Sequence, residues 1–157
     1  MLLDAARLFV CIIKMLLRHC KDLSLMLDSK GYNTIGPVTI RGDGNCLFRA
    51  FAFPNQEHVA VRARLVEHVQ NNWETYRDFI ESTEQESYVS SMNDDGTWGD
   101  ELMLCAFAQT FNEHVIVVSA EEDHRPIREY AQSNALRTRT LTYDGCHYNL
   151  LSLRRHI

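Results

Sequence analysis

Residues 138–153, TRTLTYDGCHYNLLSL, alternate β-branched, aliphatic and aromatic residues with small polar ones on either side of an Asp-Gly pair. That pattern restricts the fold more than any other stretch. Such runs favour extended backbone, and Asp-Gly between two of them signals a tight hairpin. Upstream, HVIVVS (114–119) reads as a central strand, whereas most of the chain between residues 46 and 111 carries helical spacing. Helices first and strands last predict an α+β domain with a small central β-sheet flanked by helices.

The individual elements follow from their punctuation. A first helix is expected over about residues 2–27, broken near Cys20 to Ser24 and ending before the turn cluster DSKGYNTIGP. PVTI (37–40) is a short strand candidate. A helix from Cys46 to Phe53 is stopped by Pro54, which has no amide to donate. In NQEHVAVRARLVEHVQNNW (55–73), Asn55 is placed to cap an amphipathic helix with Val59, Ala63, Val66 and Val69 on one face. Shorter helical pieces are expected at 76–80 and 84–92. The turn-rich NDDGTWGD (93–100) precedes a buried helix, DELMLCAFAQTF, capped by Asp100. No linker divides the chain, so residues 36–153 are read as the main domain and 1–30 as a helical extension packed on it, one globular unit in all.

At 157 residues the chain can bury about 70% of the surface its unfolded form exposes. A formal net charge of -5 argues against nucleic acid as partner, because phosphate binding needs clustered Lys and Arg. Five cysteines without a CxxC pair fit neither a disulfide framework nor a structural zinc site, and point to a reducing, cytoplasmic setting with no metal and no cofactor. The apolar run LFVCIIKMLL is too short to cross a bilayer and is interrupted by Lys14. Asp4, Arg7, Lys14, Arg18 and Lys21 fall at helical spacing, which favours a helix buried on most sides over a membrane or targeting segment.

Chemistry concentrates in RGDGNCLFRAF (41–51). Gly, Asp and Asn make an irregular turn, and Leu47, Phe48, Ala50 and Phe51 then supply the apolar face of a helix with Arg49 opposite. Cys46 stands at the junction. A helix's first turn offers unpaired amides that favour a thiolate, and the amides of Asp43, Gly44, Asn45 and Cys46 can receive an oxyanion, each such donor being worth about 3 kcal/mol of barrier. A base is still required. Among seven histidines, His147 is distinguished by GCHYNLL after the hairpin turn, where period two puts His147 and Asn149 on one strand face. An Asn there can accept the imidazole N–H and hold its tautomer. Cys146 is the rival nucleophile, but the same alternation points it to the opposite face, with no helix end behind it; Cys105 sits in an apolar helix and reads as packing.

Taken together, DGNCLFRA resembles the catalytic-cysteine signature of the ovarian tumour (OTU) cysteine proteases, HYN resembles their catalytic-histidine motif, and DGTWGDELML is similar to a Trp-Gly loop leading into a long helix. The resemblance covers about residues 36–153. It implies an OTU-like fold and a ubiquitin-specific thiol hydrolase that cleaves isopeptide bonds after ubiquitin's C-terminal glycine through a thioester. Cys46 would be the nucleophile, His147 the base and later acid, Asn149 the orienting residue, and Asp43 a shaper of the oxyanion loop Asp43–Gly44–Asn45–Cys46. The family more often has Asp where Asn149 stands, which softens imidazolium stabilisation. Ubiquitin and polyubiquitin chains are the implied partners of a monomer that uses neither nucleic acid nor a membrane. Trp98 and Gly99 would line the channel for ubiquitin's basic tail, and Asp94, Asp95 or Asp100 would meet its arginines, although the plainer readings, Asp100 as a helix cap and Asp94-Asp95 as a solvated turn, are favoured. Two alternatives stay open: another ubiquitin-like modifier as substrate, or a silent ubiquitin-binding module.

Overall fold

A computed structural model describes residues 32–80, 84–119, 127–132 and 134–155. The helix expected over residues 2–27 lies outside them. The first strand, β1 (Tyr32–Val38), precedes four α-helices: α1 (Cys46–Ala52), α2 (His58–Asn71), the single turn α3 (Trp73–Tyr76) continued by a 3-10 turn at Arg77–Phe79, and α4 (Gln85–Asn93). A fifth, α5 (Glu101–Phe111), leads into β2 (Glu113–Ser119), β3 (Ile127–Tyr130), β4 (Arg137–Tyr143) and β5 (Tyr148–Arg155). The five strands form one sheet in the order β1-β5-β4-β2-β3. Only β2 and β4 run parallel among these neighbours; the other three pairs are antiparallel.

The hairpin anticipated from YDG joins β4 to β5, with Tyr143 opposite Tyr148. Gly145 takes a φ of 100° in the turn, and the Asp144 carboxylate accepts the amides of Cys146 and His147. The turn therefore runs through His147, and β5 starts one residue later. HVIVVS is buried along nearly its whole length as β2, as a β-branched run between two neighbouring strands should be.

Four expectations are corrected. The first strand begins at Tyr32, inside the presumed turn cluster, and ends at Val38 rather than Ile40; its register against β5 shifts between Thr34 and Gly36, a bulge that accommodates one extra residue. Asn55 does not cap α2: the helix starts at His58 behind Glu57, without a side-chain cap. Its buried face is Val61, Arg62, Leu65, Val66 and Val69, while Val59 is 58% exposed and Ala63 also faces outward. Counting Arg62 as polar turned the apparent stripe away from its true direction. Finally, β3 was not anticipated, since four residues with a single aliphatic one leave too short a pattern to detect.

The core lies between the helices and the sheet. Leu47, Phe48, Ala50, Phe51 and Ala52 of α1 are buried, as the apolar face of that segment requires. Phe51 stacks on Phe107 of α5 with ring centroids 4.0 Å apart, and α1 rests on both α2 and β5. The start of α1 is thereby held against the strand that follows His147.

Candidate active site

Cys46 is the first residue of α1, and Asn45 before it is the N-cap. The preceding turn needs its glycine: Gly44 has a φ of 82°, and a side chain there would run into the backbone carbonyl of Gly96. The loop at residues 94–99 is thus seated directly on the loop that precedes Cys46. Gly99 is close-packed in the same way, since a Cβ would lie 2.7 Å from Leu47 Cδ2.

The Asp43 carboxylate is held by Arg49. The guanidinium donates from Nε to both oxygens at 3.2 and 3.1 Å and from one terminal nitrogen at 2.6 Å. The Asn45 amide adds a further bond at 3.1 Å. The bond to Arg49, against a smaller opposing effect of burial and aided by the Asn45 amide, holds the Asp43 carboxyl well below the usual carboxylate range. The Asp43–Asn45 bond closes an Asx turn that fixes the backbone one residue ahead of the thiol.

His147 Nε2–H donates to the Ile40 carbonyl at 3.0 Å. A carbonyl oxygen can only accept, so Nε2 carries a proton here, and in the neutral tautomer of this arrangement Nδ1 is the basic nitrogen. The Nδ1/Cε1 edge of the ring lies beside Gly42, 3.7 Å from where a Cβ would stand. Asn149, 3% exposed, takes the amide of the same Ile40 on its side-chain oxygen at 2.8 Å. The partner anticipated for the imidazole was Asn149; the ring is bound instead by Ile40, and Asn149 fixes Ile40. The chain beyond Val38 leaves the β-ladder and satisfies the Ile40 amide and carbonyl with side chains from the hairpin.

A cleft of about 210 Å³ opens beside Cys46. Trp98, Gly99, Tyr143, Cys146 and Tyr148 are among the residues that line it. The residues on both sides of His147 in the chain therefore face the same cleft as Cys46. Trp98 is 64% exposed, as a cleft wall rather than a core residue. Asp100 also borders the cleft, but its carboxylate accepts the Met103 amide at 3.1 Å as the cap of α5, and the Tyr88 hydroxyl at 2.9 Å. Burial pushes this carboxyl above its ordinary range. Asp94 and Asp95 are exposed and are not among the lining residues; Asp95 lies 3.8 Å from His58 Nε2.

Leu47, Tyr143 and Tyr148 line the cleft without having been expected there, and so do two charged residues. Glu101 lines it with an exposed carboxylate that accepts the Tyr130 hydroxyl at 2.7 Å, and Arg128 of β3 stands 3.9 Å from that carboxylate. Glu101 sits one position beyond the aspartates weighed for this role, while Arg128 belongs to the strand whose pattern was too short. Cys146 requires a correction as well. It precedes β5, so strand alternation does not govern it, and it faces the cleft. Its thiol donates to Asp144 at 3.4 Å, and that bond pushes the thiol up, which disfavours it as a nucleophile. Burial does the same to Cys105. Among the described residues, no group of three or more His, Cys, Asp or Glu is placed to hold a metal ion.

Comparison with known proteins gives a consistent result. Residues 41–148 match the model of the OTU-like cysteine protease family. The chain is 30% identical over 117 residues, 71% of its length, to OVARIAN TUMOR DOMAIN-containing deubiquitinating enzyme 7 of Arabidopsis thaliana, and 30% identical over 123 residues to the same plant's enzyme 11. It spans 31% and 50% of the lengths of those two relatives. Among solved structures, an OTU domain in complex with ubiquitin superposes with a TM-score of 0.67 at 19% identity, over 79% of this chain and 77% of that one. The family-model match across most of the chain and the plant relatives of 30% identity show that this chain belongs to the OTU-like cysteine protease family.

Proposed function

We propose that the protein is a deubiquitinase that hydrolyses the isopeptide bond after ubiquitin's C-terminal glycine, with Cys46 as nucleophile and His147 as base and acid. One observation carries this reading: Cys46, at the head of α1, shares its cleft with the residues on either side of His147, whose proton is held on Nε2 by Ile40. The names of the plant relatives, and the ubiquitin-bound domain of like fold, support ubiquitin as the substrate.

In this reading the Cys46 thiolate attacks the glycine carbonyl, and the amides of the Asp43–Cys46 loop receive the negative charge that develops on oxygen. Collapse breaks the C–N bond. The lysine amine leaves with the proton that His147 Nδ1 took from the thiol, and ubiquitin remains as a thioester on Cys46. His147 then deprotonates a water that attacks the thioester, and the proton returns to the departing sulfur. Asn149 is a positioning residue that works through Ile40: it accepts the Ile40 amide while the Ile40 carbonyl orients the ring. Asp43 positions the loop rather than touching substrate. Trp98 and Gly99 form one wall for the tail, and Glu101 is the carboxylate best exposed in the cleft to meet a tail arginine. Polyubiquitin in the cytoplasm is the proposed working substrate and place.

The experiment is cleavage of lysine-linked ubiquitin dimers by wild type and by Cys46→Ser. The reading expects release of monomer by the former and none by the latter. A folded wild type that leaves every dimer intact, or equal cleavage by both proteins, would sink it; turnover confined to another ubiquitin-like modifier would reassign the substrate.

A further inference from the structure

Arg62 lies in the middle of α2 and is only 2% exposed. Its guanidinium donates to three oxygens from three places in the chain: Asn45 Oδ1 at 2.7 Å, the Thr97 carbonyl at 2.8 Å and the Met92 carbonyl at 2.8 Å. Its plane is backed by Phe48 of α1, with Cζ 3.8 Å from the ring centroid. The buried Nε has no hydrogen-bond partner.

Two features separate this arrangement from ordinary core packing. The first is the behaviour of Asn45. An Asn at a helix N-cap ordinarily turns its side-chain oxygen onto the helix's free amides, but here no such bond forms. The oxygen instead accepts from Arg62 and, at 3.0 Å, from the Gly96 amide. The residue next to the thiol gives up its capping role to bind the hub. The second is cost: burying a guanidinium carries a desolvation penalty, and one of its donors, Nε, goes unmet. What Arg62 adds is geometry. It ties the nucleophile loop, through Asn45, to the 94–99 loop, through Thr97 and Gly96, and to the end of α4. Trp98 and Gly99 of that second loop line the cleft together with Cys46, Tyr143 and Tyr148.

We infer that Arg62 is a positioning residue for the hydrolysis, setting the nucleophile loop and the Trp98 wall of the cleft in one register through the Arg62–Asn45–Gly96 junction. The inference rests on the assignment of Cys46 as nucleophile proposed above. Lysine cannot replace it, because a single ammonium does not present a planar fork to three acceptors on different segments.

The test is steady-state hydrolysis of ubiquitin carrying a C-terminal fluorogenic amide by wild type, Arg62→Met, Asn45→Ala and the double variant, with thermal unfolding of each. Arg62→Met keeps bulk and removes the donors. Its midpoint is expected to fall, because the Met92 and Thr97 carbonyls lose their donor, while kcat of the folded protein, measured well below that midpoint, falls about 10- to 100-fold with KM within about 2-fold. Asn45→Ala is expected to lose a similar factor, and the double variant no more than the poorer single, because both cut one connection. Arg62→Lys is not expected to restore kcat. Wild-type kcat in Arg62→Met, or losses that multiply in the double variant, would overturn the positioning role while leaving Cys46 its assignment. Should Arg62→Met fail to fold, Asn45→Ala decides alone, and wild-type kcat there overturns the inference. A wild type with no turnover removes the nucleophile assignment itself, and the positioning role with it.

Discussion

Asp43 keeps its charge in acid because Arg49 grips both carboxylate oxygens. Its folded value is depressed below the unfolded one, near 3.9. The stabilisation is therefore complete above about pH 5 and is lost as pH falls through the folded value. Replacing Asp43 with Asn should lower stability at pH 7 and flatten the acid limb of a plot of unfolding free energy against pH, which urea titrations between pH 2 and 7 would measure. An unchanged acid limb would remove Asp43 as its source. Gly44 makes a sharper prediction. Its left-handed backbone and its contact with the Gly96 carbonyl leave no room for a methyl group, so Gly44→Ala should cost at least about 1–3 kcal/mol of stability. Full stability in that variant would mean that the two loops are not in contact. Asn149→Ala should leave the Ile40 amide buried without an acceptor, costing about 1–3 kcal/mol, and lower kcat through the displaced Ile40 carbonyl.

At the level of elements, α5 shows how a local signal became a reliable boundary. Asp100 accepts the Met103 amide as the sequence pattern predicts, and Asp100→Ala should destabilise the protein by about 1–2 kcal/mol in urea unfolding; a change within 0.3 kcal/mol, roughly the additivity error of such series, would contradict the cap. The helix of Cys46 was equally legible, since Leu47, Phe48, Ala50 and Phe51 are buried and Pro54 follows its end. The α2 face was not, because a buried arginine looks like a surface residue until its three acceptors are known. The β1 boundary was obscured for a related reason: Gly36 and Pro37 suggest a turn, yet pairing with β5 and a bulge draw them into the sheet. Pairing between segments more than a hundred residues apart leaves no local periodicity to read.

Across the whole molecule, the motif around Cys46 and the HYN triplet were visible as residue types at definite places in the chain, and the fold brings their surroundings to one cleft. The bonding within the site was less legible. Period two paired His147 with Asn149 on one strand face, but the turn extends through His147, and what the two side chains share is the backbone of Ile40, 107 residues from His147. Cys146, Glu101 and Arg128 enter the cleft through the sheet and the turn rather than through any motif. The parts missed are those in which a side chain is defined by a distant backbone group.

The central claim is that Cys46, and no other thiol, is the nucleophile served by His147. Incubation with ubiquitin bearing a C-terminal electrophile, followed by mass-spectrometric mapping of the adduct, tests it directly. The account predicts a single ubiquitin on Cys46, absent from Cys46→Ala and formed more slowly in His147→Ala; an adduct on Cys146 or Cys105, or none on the folded wild type, would contradict it.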